Sequence, residues 1–171
     1  MAQIIGRASK PYAKVSFRGV TLDQRTKSAL IWAEKHYREV APNKRQPWRL
    51  GQGSYNVGVG ASAGTHDGGG VIDIMFAGLN HKQRKATVRW LRKAGFAAWA
   101  REGAAWGAGG SNDHAHAVLL GHRTASAAAK SQMDSYRAGR DGLAGNAPDH
   151  TWKPRRSRRW SHRKNKPIVG K

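Results

Sequence analysis

No cysteine occurs anywhere in the 171 residues, and acidic side chains are scarce, with 10 Asp and Glu against 31 Lys and Arg. The first absence removes disulfides, thiolate metal sites and cysteine nucleophiles together. Packing must therefore supply stability, and any metal must be held by His, Asp or Glu. The second leaves a formal net charge of +21, which predicts attraction to polyanions such as nucleic acid, anionic lipid or anionic cell-wall polymers. Long apolar runs are missing too. No window approaches the length of a membrane span, and the N-terminal MAQIIGRASKPYAKVSF lacks the continuous apolar stretch of a signal peptide. The expectation is a chain with no membrane span, made in the cytoplasm. Its length and 39% hydrophobic content suit one domain with a core of its own.

Hydrophobic periodicity predicts helices over Thr21–Val40, with Thr21 or Asp23 as N-cap, over His81–Ala94, stopped by Gly95, and over Thr124–Ala138, closed by Gly139. The APNKRQP stretch ends the first helix with prolines. Short strands are expected at Val71–Phe76, Phe96–Arg101 and His114–Leu120, with Trp48–Tyr55 extended before a glycine-rich loop. Strands interleaved with helices, without a regular strand-helix-strand period, indicate an α+β fold with a small antiparallel sheet flanked by helices. Residues 1–20 read as an N-terminal arm and 21–141 as the domain. Residues 142–171, rich in Arg, Lys and Pro, read as a basic, flexible tail. In that tail Trp152 and Trp160 lie among cations, a composition suited to single-stranded nucleic acid or to anionic wall polymers.

Two clusters carry chemistry. In GTHDGGGVIDI the carboxylate of Asp73 sits within an apolar strand, sharing a face with Val71 while Ile72 and Ile74 face the other way. Such a carboxylate is costly unless a cation or hydrogen-bond donors meet it. In SNDHAHAVLLGH, His114 and His116 are two residues apart, which puts both imidazoles on one side of a strand. If the two strands are neighbours, Asp73, His66 and one of those histidines converge as a His-His-Asp set with an open fourth position, suited to catalytic zinc.

These residues carry a resemblance. The spacing of His66, Gly69, Val71 and Asp73 resembles the metal element of the M15 peptidases, the zinc D-Ala-D-Ala carboxypeptidases and phage L-alanyl-D-glutamate endolysins. Asp113-His114-Ala115-His116 resembles that family's acid-x-x-His element, and Gly53-Ser54-Tyr55-Asn56 stands where the family has S-G-Y-R. The likeness covers about Trp48 to Leu120, and its texture is similar to M15-like proteins of actinobacteria and their phages. It implies a hedgehog-like, D-Ala-D-Ala-peptidase-like fold over 21–141. It also implies Zn2+ held by His66, Asp73 and His116, with Asp113 as catalytic base from the loop before the strand or from a bulge. His116 rather than His114 is favoured because Asp113 lies three residues before it, where His114 would have Ser111. His114, Asn56, Tyr55 and Trp106 are then expected in or behind the pocket. The chain departs from the family at Gly64, where serine is usual although Ser62 lies close, at Asn56, where an arginine is usual, and at Asp113, where glutamate is commoner; that arginine's role is either missing or moved to Arg49 or Arg101.

The resemblance implies a peptidoglycan stem-peptide hydrolase, a phage lysin or tail-associated enzyme acting at the cell wall or carried on a virion. The competing reading is a non-catalytic, basic virion or nucleic-acid-binding protein on the same scaffold. His36, His81, His122, His150 and His162 are read as ordinary surface or core histidines, and Trp90 and Trp99 as core. THDGGG lacks the Lys-Ser/Thr and the following helix that a phosphate-binding loop needs.

Overall fold

The structure, a computed structural model, describes residues 10–40, 47–151 and 158–169. It opens with a hairpin, Lys14–Phe17 (β1) and Val20–Asp23 (β2), turned by Arg18 and Gly19. Both turn residues have positive φ, of 50° and 83°, as a two-residue turn matching the strand twist requires. Gln24–Val40 (α1) follows at once, because the Asp23 side chain accepts a hydrogen bond from the Thr26 amide at 2.8 Å and caps the helix. Val71–Met75 (β3) comes next, then His81–Ala94 (α2), Phe96–Arg101 (β4), His114–Leu119 (β5) and Ala127–Arg137 (α3). The last elements are Arg158–Ser161 (β6) and Lys166–Val169 (β7). The protein is thus α+β, with three small antiparallel sheets and three α-helices among the described residues.

Strand alternation gives the central sheet, ordered β3-β5-β4, two different faces. Ile72, Ile74, Phe96, Ala98, Ala117 and Leu119 pack against α1 and α2 in the larger core. Val71, Ala97, Trp99 and Val118 pack on the opposite face against Ala129, Met133 and Tyr136 of α3. Asp73 and His116 belong to this second face. The stretch before the glycine loop runs along β3: Met75 N–H bonds the Arg49 carbonyl at 2.9 Å and Gly51 N–H bonds the Asp73 carbonyl at 3.0 Å. It forms a single bridge, Leu50 with Ile74.

The helix α2 matches its expected bounds. Asn80 and Gln83 form a reciprocal cap at its start, and Gly95 closes it at φ 102°. The third helix starts later than expected, at Ala127, because Ser126 rather than Thr124 caps it. Of the two prolines expected to end α1, Pro42 lies outside the described residues, as does Trp152, and Pro47 is the first residue described after α1.

The β1–β2 hairpin runs across the boundary expected at residue 20, and residues 158–169 of the expected tail form the β6–β7 hairpin, which packs against α1 and α2. Trp160 is 1% exposed and belongs to the larger core, 6.3 Å from the Trp32 ring. The backbones approach so closely there that a Cβ on Gly95 would come within 2.9 Å of the Trp160 nitrogen. The segment leading to the hairpin is held as well. Trp99 Nε1 donates to the Arg140 carbonyl at 3.0 Å, and Arg92, 1% exposed, pairs with Asp149 at 2.8 Å. The Trp160 indole supplies the buried apolar area of this otherwise basic hairpin. Trp160→Ala should therefore lower stability by about 3–5 kcal/mol, read by denaturant unfolding. A variant as stable as the parent would show that the hairpin contributes no core.

Candidate metal centre

Register brings the first site residues together. Asp73 on β3 is the cross-strand partner of His116 on β5, and His116 is in turn the partner of Trp99 on β4. Because the pairing puts all three on the α3 face, a carboxylate, an imidazole and an indole form one row across the sheet. Trp99 lies nearly parallel to the His116 ring, with 19° between planes and 6.4 Å between centroids. His66 reaches the same point from a short helical turn, Thr65–Asp67, in the glycine loop. The ligand-capable atoms of His66, Asp73 and His116 lie within 4.8 Å of one another, and all three residues are buried. This group can hold a metal ion.

The glycines set the path of that loop. Gly70 has φ 88°, and a Cβ on Gly69 would meet the Tyr55 hydroxyl and Thr124 Oγ1 at 2.5 Å and His122 Cε1 at 2.6 Å. The loop thus lies directly on a buried post. His122 Nε2 is 2.9 Å from Asp23 Oδ2, both side chains wholly enclosed. The Asp23 carboxyl is held below its ordinary range. Burial opposes this, but hydrogen bonding and charge from His122, with bonds from Thr26, outweigh it. His122 is therefore a core histidine, as expected of it, but one that ties the cap of α1 to the loop carrying His66.

Hydrogen-bond partners on the outer side of each ring dictate what the inner side presents. His66 Nδ1 is 2.7 Å from the Gly53 carbonyl, which only accepts, so Nδ1 carries the hydrogen and Nε2 faces Asp73 Oδ2 at 3.3 Å. His116 Nε2 is 2.8 Å from Gln132 Oε1, while Gln132 Nε2 donates to the Gly142 carbonyl at 3.1 Å. That carbonyl requires the amide NH2 on its side, which leaves Oε1 for His116. The hydrogen of a neutral His116 therefore sits on Nε2, and Nδ1 turns its lone pair to Asp73 Oδ1 at 2.9 Å. Burial pushes the His116 imidazole below its ordinary pKa despite the pull of Asp73, favouring the neutral ring. On Asp73 burial acts upward, but the bonds and charges of His116 and His66 carry it well below the usual carboxylate range. The depression of the Asp73 pKa corresponds to an inward-facing proton on a ring; with both rings neutral, their lone pairs and the carboxylate repel unless a cation sits among them, and a metal ion would satisfy all three.

The group opens on a cleft of ≈ 700 Å³, lined also by Arg101, Trp106, His114, Gln132 and Leu143. His114 is on the same side of β5 as His116. Its Nδ1 donates to the Asn112 carbonyl at 2.6 Å, and its Nε2 lies 3.9 Å from Asp73 Oδ1. Trp106 meets its ring edge-on at 5.2 Å. Arg101 donates to the Asp141 carbonyl at 2.8 Å, and burial pushes its pKa down to about 10, so it stays cationic at neutral pH.

Other expected residues do not reach the cleft. Asp113 lies in the loop before β5 as expected but points to the α2 side, like Ala115 and Ala117 beyond it. Its Oδ2 accepts from Arg84 at 2.8 Å and its Oδ1 from the Gly103 amide at 3.0 Å. The alternation that puts His114 and His116 over the triad turns residue 113 away, and Arg84 of α2 captures it. The Tyr55 hydroxyl faces Thr124 at 3.0 Å and Asp23 at 3.4 Å, Asn56 is exposed, and Arg49 is exposed. None of these lines the cleft. Gln132 and the Gly53 carbonyl were missed at the level of sequence. Nothing near Gln132 marks it as a partner of a strand residue 16 positions earlier.

No family model, curated protein or solved structure matches this chain.

The protein should bind one divalent metal ion per chain. Gln132→Leu should weaken that affinity by about 10–100-fold through loss of the outer partner alone, measured by competition with a chromophoric chelator. Unchanged affinity would mean that Gln132 does not set the tautomer of His116.

Proposed function

We propose that the protein is a zinc-dependent peptidase that hydrolyses stem-peptide bonds of bacterial peptidoglycan, as a phage lysin or a tail-associated hydrolase. The observation that carries the reading is the aim of two imidazole nitrogens and one carboxylate, all buried, at one point on the wall of an open cleft. Two nitrogens and one oxygen, with no thiolate in the chain, suit zinc in a catalytic setting, where a coordination position stays open. Zinc so held supplies Lewis acidity toward a carbonyl and acidifies water near neutral pH. The spacing of His66, Gly69, Val71 and Asp73, resembling the M15 peptidases, and the hedgehog-like arrangement it implies, point to peptide as substrate.

The chain's own groups divide the remaining work. His66 and His116 are oriented through Gly53 and Gln132. Arg101 sets a positive charge on the cleft wall and takes the place left by Asn56, favouring a substrate that carries carboxylate, as stem peptides do. Trp106 and Leu143 offer apolar surface beside it. The proton-handling role falls to His114 rather than to Asp113. With Nδ1–H committed to Asn112, its Nε2 lone pair is free to hold a proton at the reacting centre, whereas both Asp113 oxygens are already engaged.

Purified protein supplied with zinc should release new amino termini from cell walls, and a chelator should abolish the release. His114→Ala should lower turnover by about 10²–10⁴-fold, and Asp113→Asn by no more than about tenfold. Full activity in His66→Ala would refute the peptidase reading. Collapse in Asp113→Asn with intact metal content would return the base role to that residue. Lack of metal together with tight DNA retention would favour the non-catalytic alternative.

A further inference from the structure

The basic residues are not spread evenly over the folded chain. Helix α2 contains no Asp or Glu, and neither does the β6–β7 hairpin that packs beside it. Two of the helix's cations are spent on acids elsewhere, Arg84 on Glu102 and Asp113, and Arg92 on Asp149. Lys82, Lys85, Arg89 and Lys93 follow one another at intervals of three, four and four residues, which keeps them within one stripe of the helix. The first three are exposed and Lys93 is half-buried. At about 1.5 Å per residue the stripe runs roughly 16 Å. Arg158 of the hairpin extends it. Burial and the nearby charges of Arg89 and Arg158 hold the Lys93 ammonium below its ordinary pKa, which places Arg158 close to the end of the stripe.

This stripe lies on the side of the sheet opposite the metal centre, because α2 covers the Ile72, Ile74 and Ala117 face whereas Asp73 and His116 belong to the α3 face. A partner held there leaves the cleft open. The nearby aromatics are not set out for stacking bases. His36 lies between Trp32 and Trp90, at 4.0 and 5.3 Å, the Lys93 ammonium sits 4.1 Å over Trp90, and Trp160 is buried. Nor is α2 a protruding element that a DNA groove could receive, with its apolar side in the core and the hairpin alongside. What remains is a straight row of point charges, suited to the repeating phosphates of a flexible chain.

We propose that the α2 stripe and the β6–β7 hairpin bind a linear polyol-phosphate polymer of the cell wall, holding the protein in the matrix while the opposite face works on peptide. The choice of this polymer over other polyanions rests on the cell-wall reading of the cleft. The charge arrangement does not.

The test uses the full chain and purified poly(glycerol phosphate), with duplex DNA and single-stranded DNA at equal phosphate concentration. A Lys82→Glu/Lys85→Glu variant is compared with Lys10→Glu/Lys130→Glu, which changes net charge equally but lies outside α2 and the hairpin. Binding of the polyol phosphate should weaken steeply with salt, and should fall at least tenfold in the α2 variant and much less in the control. Equal loss in both variants, loss in neither, or tighter binding of either DNA by the parent chain would overturn the proposal. Hydrolysis of a soluble stem peptide, measured separately, should be the same in both variants. Because the polymer assay involves no cleavage, an inactive cleft would sink the peptidase reading and leave the binding result fully readable.

Discussion

The carboxylate of Asp73 lies between two imidazoles whose outer nitrogens are already committed to carbonyl oxygens. A neutral ring cannot turn its N–H inward without breaking an outer bond, so the three inner groups call for a shared positive charge, a proton or a metal ion. Around this point the rest of the local structure is organised. The β3–β5 register sets Asp73 opposite His116, the glycines let the His66 loop lie flat on His122, and Gln132 reaches across from α3. Burial strengthens each of these interactions, because water is not present to screen them.

The sheet separates two kinds of electrostatics. On the α3 face, charge is concentrated, buried and specific in geometry. On the α2 face it is dispersed, mostly exposed and mainly positive. A three-stranded sheet is thin enough that the two lie within one small domain, yet alternation prevents a side chain on one strand from serving both. Asp113 illustrates the rule: one residue before His114, it belongs to the α2 side and neutralises Arg84 there.

Much of the fold was legible in the sequence where periodicity and punctuation coincide. Helix α2 has both its Asn80 cap and its Gly95 stop, and its bounds are those expected. The convergence of His66, Asp73 and His116 was legible for a different reason. A carboxylate inside an apolar strand and two histidines two apart are locally costly, and each is understandable only with a shared partner. Spacing failed for Asp113 because a count of three residues says nothing about which side a loop residue faces. It failed for Gln132 because that contact spans two elements whose packing is not written in either. The C-terminal hairpin was hidden by composition: dense Arg and Lys read as tail, while one tryptophan carried the burial.

The stretch between α3 and the hairpin is fastened at both ends. Arg140, Asp141 and Gly142 accept bonds from Trp99, Arg101 and Gln132, and Asp149 is clamped by Arg92. Between these anchors Leu143 and Ala144 form part of the cleft wall, and Leu143 is 42% exposed. A bridge pinned at its abutments and exposed at midspan tolerates exchange of the side chains at its middle. Selection, or an engineer, can therefore retailor what the groove admits by exchanging a handful of residues there, leaving His66, Asp73, His116 and their scaffold untouched.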